Sequence, residues 1–242
     1  MDTVGESVIN TAAAHGSALK ESIAIVLVFF ALQFAILALG PGDPGAGVPA
    51  AWNSLLANTV AAFGVVLSGW LVSRVRFFTG GMGGIGVVNL PARDILGCLL
   101  AGALLGFAVS VLSNFFEITR TPHPLQGQVY LEGSTPILMA WIASLVLVAP
   151  IGEEMVCRGF ILPALARKIG VFPAIIGAAL LFLLPHLLQV GGYWVAAVGI
   201  FSLGILAGVA RVRTGSVFAA MLVHAAYNAI PLAYMLWDHF LA

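Results

Sequence analysis

LVLVAPIGEEMVCRGFILPAL, residues 145–165, sets two adjacent glutamates, Glu153 and Glu154, inside a strongly apolar run. A carboxylate in the bilayer core costs at least ~2.5–3.5 kcal/mol on insertion scales, and ionisable residues in that position mark a functional site by default. Two other apolar runs carry isolated polar side chains. They are His186 in LLFLLPHLLQ (180–189), and His224 with Asn228 in FAAMLVHAAYN (218–228). These few residues hold the information about function; the sequence around them decides the fold.

The chain has 242 residues, of which 61% are hydrophobic and 8% charged. A soluble domain is about one-quarter charged, so an all-α, polytopic membrane protein is predicted. A spanning helix needs about 20 apolar residues. The apolar runs fall at approximately 23–39, 51–72, 94–116, 138–163, 173–189, 193–210, 214–228 and 229–241, with Pro231 at the last boundary. That makes about eight transmembrane helices. GPGDPGAGVP (40–49), TGGMGGIG (79–86) and RTPHPLQGQ (120–128) read as turn-rich loops between them. Residues 1–22 form a more polar N-terminal segment, and 23–242 one transmembrane domain without a detectable internal repeat. Asp2 and Glu6 stand where a signal peptide would be basic. Cys98 and Cys157 lie far apart in apolar runs and are read as reduced, buried residues.

Lys20, Arg74, Arg76, Arg93, Arg167, Lys168, Arg211 and Arg213 fall in alternate connections, whereas the opposite loops hold Arg120. The positive-inside rule puts the basic loops in the cytoplasm, and an even helix count then puts both termini there. At 1.5 Å per residue, Glu153, His186 and His224 come to similar depths near or below mid-membrane. Pro150 and Pro185 each remove a helix hydrogen bond beside a polar residue. Irregular backbone is tolerated in lipid where it lines a cavity, so an intramembrane polar cavity is predicted.

Three short patterns follow in order on consecutive helices. Glu153-Glu154-Met155-Val156-Cys157-Arg158 reads EExxxR, Phe182 to His186 reads FxxxH, and His224 to Asn228 reads HxxxN. Over about residues 136–230 they resemble the CAAX protease and bacteriocin-processing family of intramembrane endopeptidases, to which the Ras-converting CAAX endopeptidase belongs. The resemblance implies an intramembrane hydrolase. It would cleave a peptide bond near the terminus of a membrane-associated or lipidated protein. Glu153 with His186 would activate water, and His224 with Asn228 would form the oxyanion site.

The chemistry agrees with those roles. A carboxylate withdrawn from water is a stronger base. Residues at i and i+4 share a helix face, so His224 and Asn228 can serve one oxyanion, at ~3–4 kcal/mol per donor in acyl transfer. By the same spacing Glu154 and Arg158 form a supporting pair, and Phe182 reads as packing. The expected partners are a peptide or protein substrate and the bilayer, with no nucleic acid; oligomeric state is open.

No required cofactor is expected. Zinc held by Glu153, His186 and His224 is the chemical alternative, although HExxH is absent. Two further classes stay open. One is a non-catalytic scaffold or immunity protein, since each polar residue alone also suits packing, and Asn228 suits a cap ahead of Pro231. The other is a transporter, against which the lack of an inverted repeat counts.

Overall fold

A computed structural model describes residues 88–116, 135–190 and 193–241, with Gly86 and isolated helical positions between 23 and 35 and between 59 and 67. The first two expected helices lie largely outside the described residues. So do the segment 1–22, the loop 40–49 and, apart from Gly86, the loop 79–86. The loop 120–128 is outside them too.

The described residues are helical and contain no strand. Helix α1 is Ala92–Phe115. A helical run then extends from 135 to 169 and changes winding four times. It comprises α2 (Thr135–Ala143), a π-helical stretch (Ser144–Val148), α3 (Ala149–Glu154), a second π-helical stretch (Met155–Ile161) and α4 (Leu162–Ile169). Gly170, with a positive φ of 84°, turns the chain into α5 (Val171–Val190). Helices α6 (Trp194–Thr214) and α7 (Val217–Leu241) complete the bundle, joined through Gly215 in the left-handed region.

Three of these helices are long and apolar enough to cross a membrane: Ala92–Phe115, Trp194–Thr214 and Val217–Trp237. Together with the family relationship described below, they make this a membrane protein. The run from 135 to 169 escapes that count because its α-helical pieces are short.

One expectation needs correcting. The separate helices expected at 214–228 and 229–241 are a single helix, with Pro231 inside it. A proline ends a helix only when the freed carbonyl cannot be satisfied and the ring cannot be accommodated. In membrane helices neighbouring elements meet both needs. The even helix count rested on that split, so it no longer places the two termini on one side.

The helices run alternately. Gly102 of α1 lies against the carbonyl of Val223, and Gly106 against that of Tyr227, so α1 and α7 are parallel. Gly204 of α6 meets Ala179 of α5, and Gly208 meets Ile175, an antiparallel pair. Val217 N–H donates to Gly86 O, and Ser216 Oγ donates to Val88 O at 2.7 Å, which ties the start of α7 to the chain ahead of α1. Arg93, Arg167, Lys168, Arg211 and Arg213 therefore collect at one end of the bundle. The core is made where the run 135–169 is enclosed by α5, α6 and α7, with Met155, Leu162, Phe182, Leu203 and Val223 all buried.

Candidate active site

Proline explains the winding around the glutamates. Its ring clashes with the preceding turn and it offers no N–H. The first π stretch ends with Ala149 N–H donating to Ser144 O, five residues back. The next amide in that register would belong to residue 150, which is proline, so Leu145 O loses its partner. The second stretch ends with Leu162 N–H donating to Cys157 O, and the next position is Pro163. Arg158 O is orphaned in the same way. Side chains from other helices take both places. Asn228 Nδ2 donates to Leu145 O at 2.9 Å, and Arg211 Nε donates to Arg158 O at 3.3 Å. Single-turn π-helical segments are frequent at functional sites. Here they rotate Glu153 and Glu154 relative to the flanking helices.

Glu154 points into the protein. Its side chain and that of Arg158 are 0% exposed. Arg158 Nη1 lies 3.0 Å from Oε1 and 2.9 Å from Oε2, with its hydrogen bond directed at Oε1. Nη2 donates to Gly204 O of α6 at 2.7 Å. His224 Nδ1 also reaches Glu154 Oε1, at 2.9 Å. The expected Glu154–Arg158 pair is therefore a three-residue link that includes His224, a partner the spacing of EExxxR does not reveal.

Glu153 points the other way and keeps 17% of its side-chain surface open. Its Oε2 lies 3.9 Å from His186 Nε2 and 4.0 Å from His224 Nε2. The far nitrogens of both rings are committed. His186 Nδ1 donates to Phe182 O at 2.7 Å, and His224 Nδ1 donates to the arginine-paired carboxylate of Glu154. A carbonyl and a carboxylate can only accept, so in the neutral rings both Nε2 atoms face Glu153 as acceptors.

Phe182 lies at the centre of this group, although its sequence position reads as packing. Its ring centroid is 4.8 Å from that of His186, 5.6 Å from that of His224, and 4.8 Å from the Arg158 guanidinium carbon. The FxxxH spacing was the available signal, because i and i+4 put Phe182 and His186 on one face. The structure thus brings together Glu153, Glu154, Arg158, His186 and His224. Asn228, one turn beyond His224 on α7, gives its amide to Leu145 O and is not a helix cap. Among the described residues, no group of three or more His, Cys, Asp or Glu side chains is arranged to hold a metal ion. Cys98 and Cys157 are both free and buried.

Comparisons with curated proteins and with solved structures return no match. A family comparison does. Residues 135–230 match the family described as type II CAAX prenyl endopeptidase Rce1-like. That segment begins at α2, ends within α7 and contains every residue of the constellation above. Over that segment the chain is similar to the CAAX protease family.

Proposed function

We propose that this protein is an intramembrane endopeptidase that uses Glu153 to activate water. The observation that carries the reading is the pair of near-equal gaps between Glu153 Oε2 and the two Nε2 atoms, 3.9 and 4.0 Å. They are too long for direct hydrogen bonds. One water, at about 2.8 Å from each partner, fits such gaps. That water would donate to two of the three acceptors at a time, and its lone pairs would stay free to attack a substrate carbonyl.

In the proposed reaction the water oxygen bonds to the carbonyl carbon and one water proton passes to Glu153. The resulting oxyanion is met by the second hydrogen of Asn228 Nδ2 and by His224. With Nδ1 held by Glu154, His224 becomes a donor at Nε2 only once that nitrogen has taken over the proton first accepted by Glu153. Glu153 and His224 therefore act in sequence. The C–N bond then breaks, and the leaving nitrogen takes that proton from His224 Nε2, which returns Glu153 to the carboxylate and His224 to the neutral ring. No metal is required in this scheme. The proposed substrate is a membrane-associated or lipidated protein cut near its terminus, a reading supported by the description of the matched family as a CAAX prenyl endopeptidase.

The basic end of the bundle is proposed to face the cytoplasm. His224 lies about 10 Å along α7 from Val217, so water and substrate would enter from that half. With α7 a single spanning helix, the C-terminus belongs to the opposite face.

The test is Glu153→Gln, which keeps the volume and removes the base. Membranes or proteoliposomes carrying the full chain are assayed by mass spectrometry for a changed substrate terminus. Loss of cleavage with unchanged unfolding temperature is expected. Activity within threefold of wild type refutes the assignment.

A further inference from the structure

We infer that Arg211 is a positioning residue for this site, acting through the main-chain carbonyl of Arg158 that Pro163 leaves without a helical partner. The inference rests on the functional reading above, but its physical core stands apart from it.

Arg211 is 2% exposed and sits in the last turn of α6, away from the reacting groups. A buried guanidinium is expensive unless it is paired, and the partner recorded for its Nε is a carbonyl rather than a carboxylate. The guanidinium lies directly on the main chain at Gly86. A Cβ built there would come within 2.1 Å of Nη2, and Gly86 has a φ of +83°. Two features thus reserve the space: a residue without a side chain on one side, and a proline-orphaned oxygen on the other.

The orphan arises from winding. Leu162 N–H donates to Cys157 O, and in the same register residue 163 would serve Arg158 O. Pro163 has no hydrogen to give. An unmet buried carbonyl carries its full desolvation penalty, so something must reach it. At the other end of the glutamate-bearing turn, Pro150 orphans Leu145 O and Asn228 reaches that oxygen. The segment bearing Glu153 and Glu154 is consequently held at both ends by side chains from α6 and α7. Arg158 is the more consequential end. Its own side chain carries Glu154, and Glu154 carries His224.

The experiment is a double-mutant cycle on the full-length chain in detergent or proteoliposomes, with Arg211→Met, Pro163→Ala and the combination. Alanine at 163 restores an amide opposite Arg158 O. Arg211→Met is expected to lower kcat 10–100-fold, the order of effect of displacing reacting groups by about 1 Å, with KM within about twofold. It should also lower the unfolding temperature. The double variant should recover most of both losses, which a role in bulk packing or in surface charge would not produce. A double variant as slow and as labile as Arg211→Met overturns the inference. If Arg211→Met does not accumulate, accumulation of the double variant supports the inference and its absence overturns it. If the wild-type chain cleaves no peptide, the proposed function fails, and the unfolding temperatures still decide whether Arg211 serves the orphaned carbonyl.

Discussion

Two glycines of one helix should respond oppositely to the same methyl group. A Cβ on Gly102 would lie 2.2 Å from Val223 O, 2.9 Å from Val223 C and 3.0 Å from Ala226 Cβ. A carbon–oxygen contact settles near 3.3–3.6 Å, so α1 and α7 would have to separate by about 1 Å. Overpacking of this kind costs ~1–3 kcal/mol. The alanine returns ~0.5–1 kcal/mol through its lower backbone entropy. Gly102→Ala should therefore destabilise by about 1 kcal/mol at the midpoints of those ranges, and by no more than about 2.5 kcal/mol. A Cβ on Gly97, five residues earlier, meets nothing within 4 Å. Gly97→Ala should be neutral or stabilise by up to ~1 kcal/mol. Activity should follow the same order, because His224 directly succeeds Val223, and a shift of about 1 Å at that turn can cost up to ~100-fold in rate. Equilibrium unfolding in mixed detergent micelles and kcat measured on the same preparations provide the check. If Gly102→Ala matched Gly97→Ala in both readouts, the close α1–α7 approach would not be what holds His224 in place.

Other perturbations separate the roles proposed for the polar residues. Glu154→Gln leaves the fully buried Arg158 without its counter-charge and should destabilise by ~3–5 kcal/mol; unfolding measurements showing less than 1 kcal/mol would contradict the reading of that link as structural. Phe182→Leu keeps an apolar side chain but removes the ring that touches both imidazoles and Arg158, so kcat should fall at least tenfold with KM nearly unchanged. Unaltered kcat would return Phe182 to simple packing. Exhaustive treatment with a tight zinc chelator, sufficient to strip a control zinc protease, should leave activity intact. Loss restored by stoichiometric zinc would instead make Glu153, His186 and His224 ligands.

The composition and the lengths of the apolar runs were enough to read an all-helical membrane protein, and the order EExxxR, FxxxH, HxxxN was enough to read the family likeness that residues 135–230 carry. What stayed hidden was determined by partners remote in sequence. Pro231 looked like a boundary because a missing N–H is visible in the sequence, whereas the packing that lets α7 run through it is not. The contact between His224 and Glu154 spans 70 residues, and no periodicity within either helix encodes it. Pro163 drew no reading from the sequence, whereas Pro150 was legible as a disruption. Their outcome was not, because a kink and a π-helical turn differ in which carbonyl is orphaned and in which side chain arrives to serve it. Asn228 illustrates the cost of reading one helix alone. Its spacing from His224 suggested an oxyanion donor and its place ahead of Pro231 the alternative of a cap, yet its amide hydrogen bond is to Leu145, on the run from 135 to 169.

Adjacent glutamates on a helix point roughly 100° apart, and that angle separates two chemistries that the sequence presents as a single doublet. Glu154 is fully buried, and its Oε1 accepts from Arg158 and from His224 at 3.0 and 2.9 Å. Its Oε2 accepts no hydrogen bond, but the side chain is 0% exposed, which leaves no open path for water to reach it. Glu153 has the reverse situation. Its ring neighbours stand off at 3.9 and 4.0 Å, and part of its surface is open. A general base must hold a free lone pair within hydrogen-bond reach of the proton it removes, and the open face of Glu153 beside two imidazoles is what makes it the proposed base. In the proposed scheme Glu154 would serve the same reaction at one remove, because its bond to His224 Nδ1 leaves Nε2 as the nitrogen that faces Glu153. If the two carboxylates exchanged roles, Glu153→Gln would leave cleavage intact and Glu154→Gln would abolish it without loss of stability.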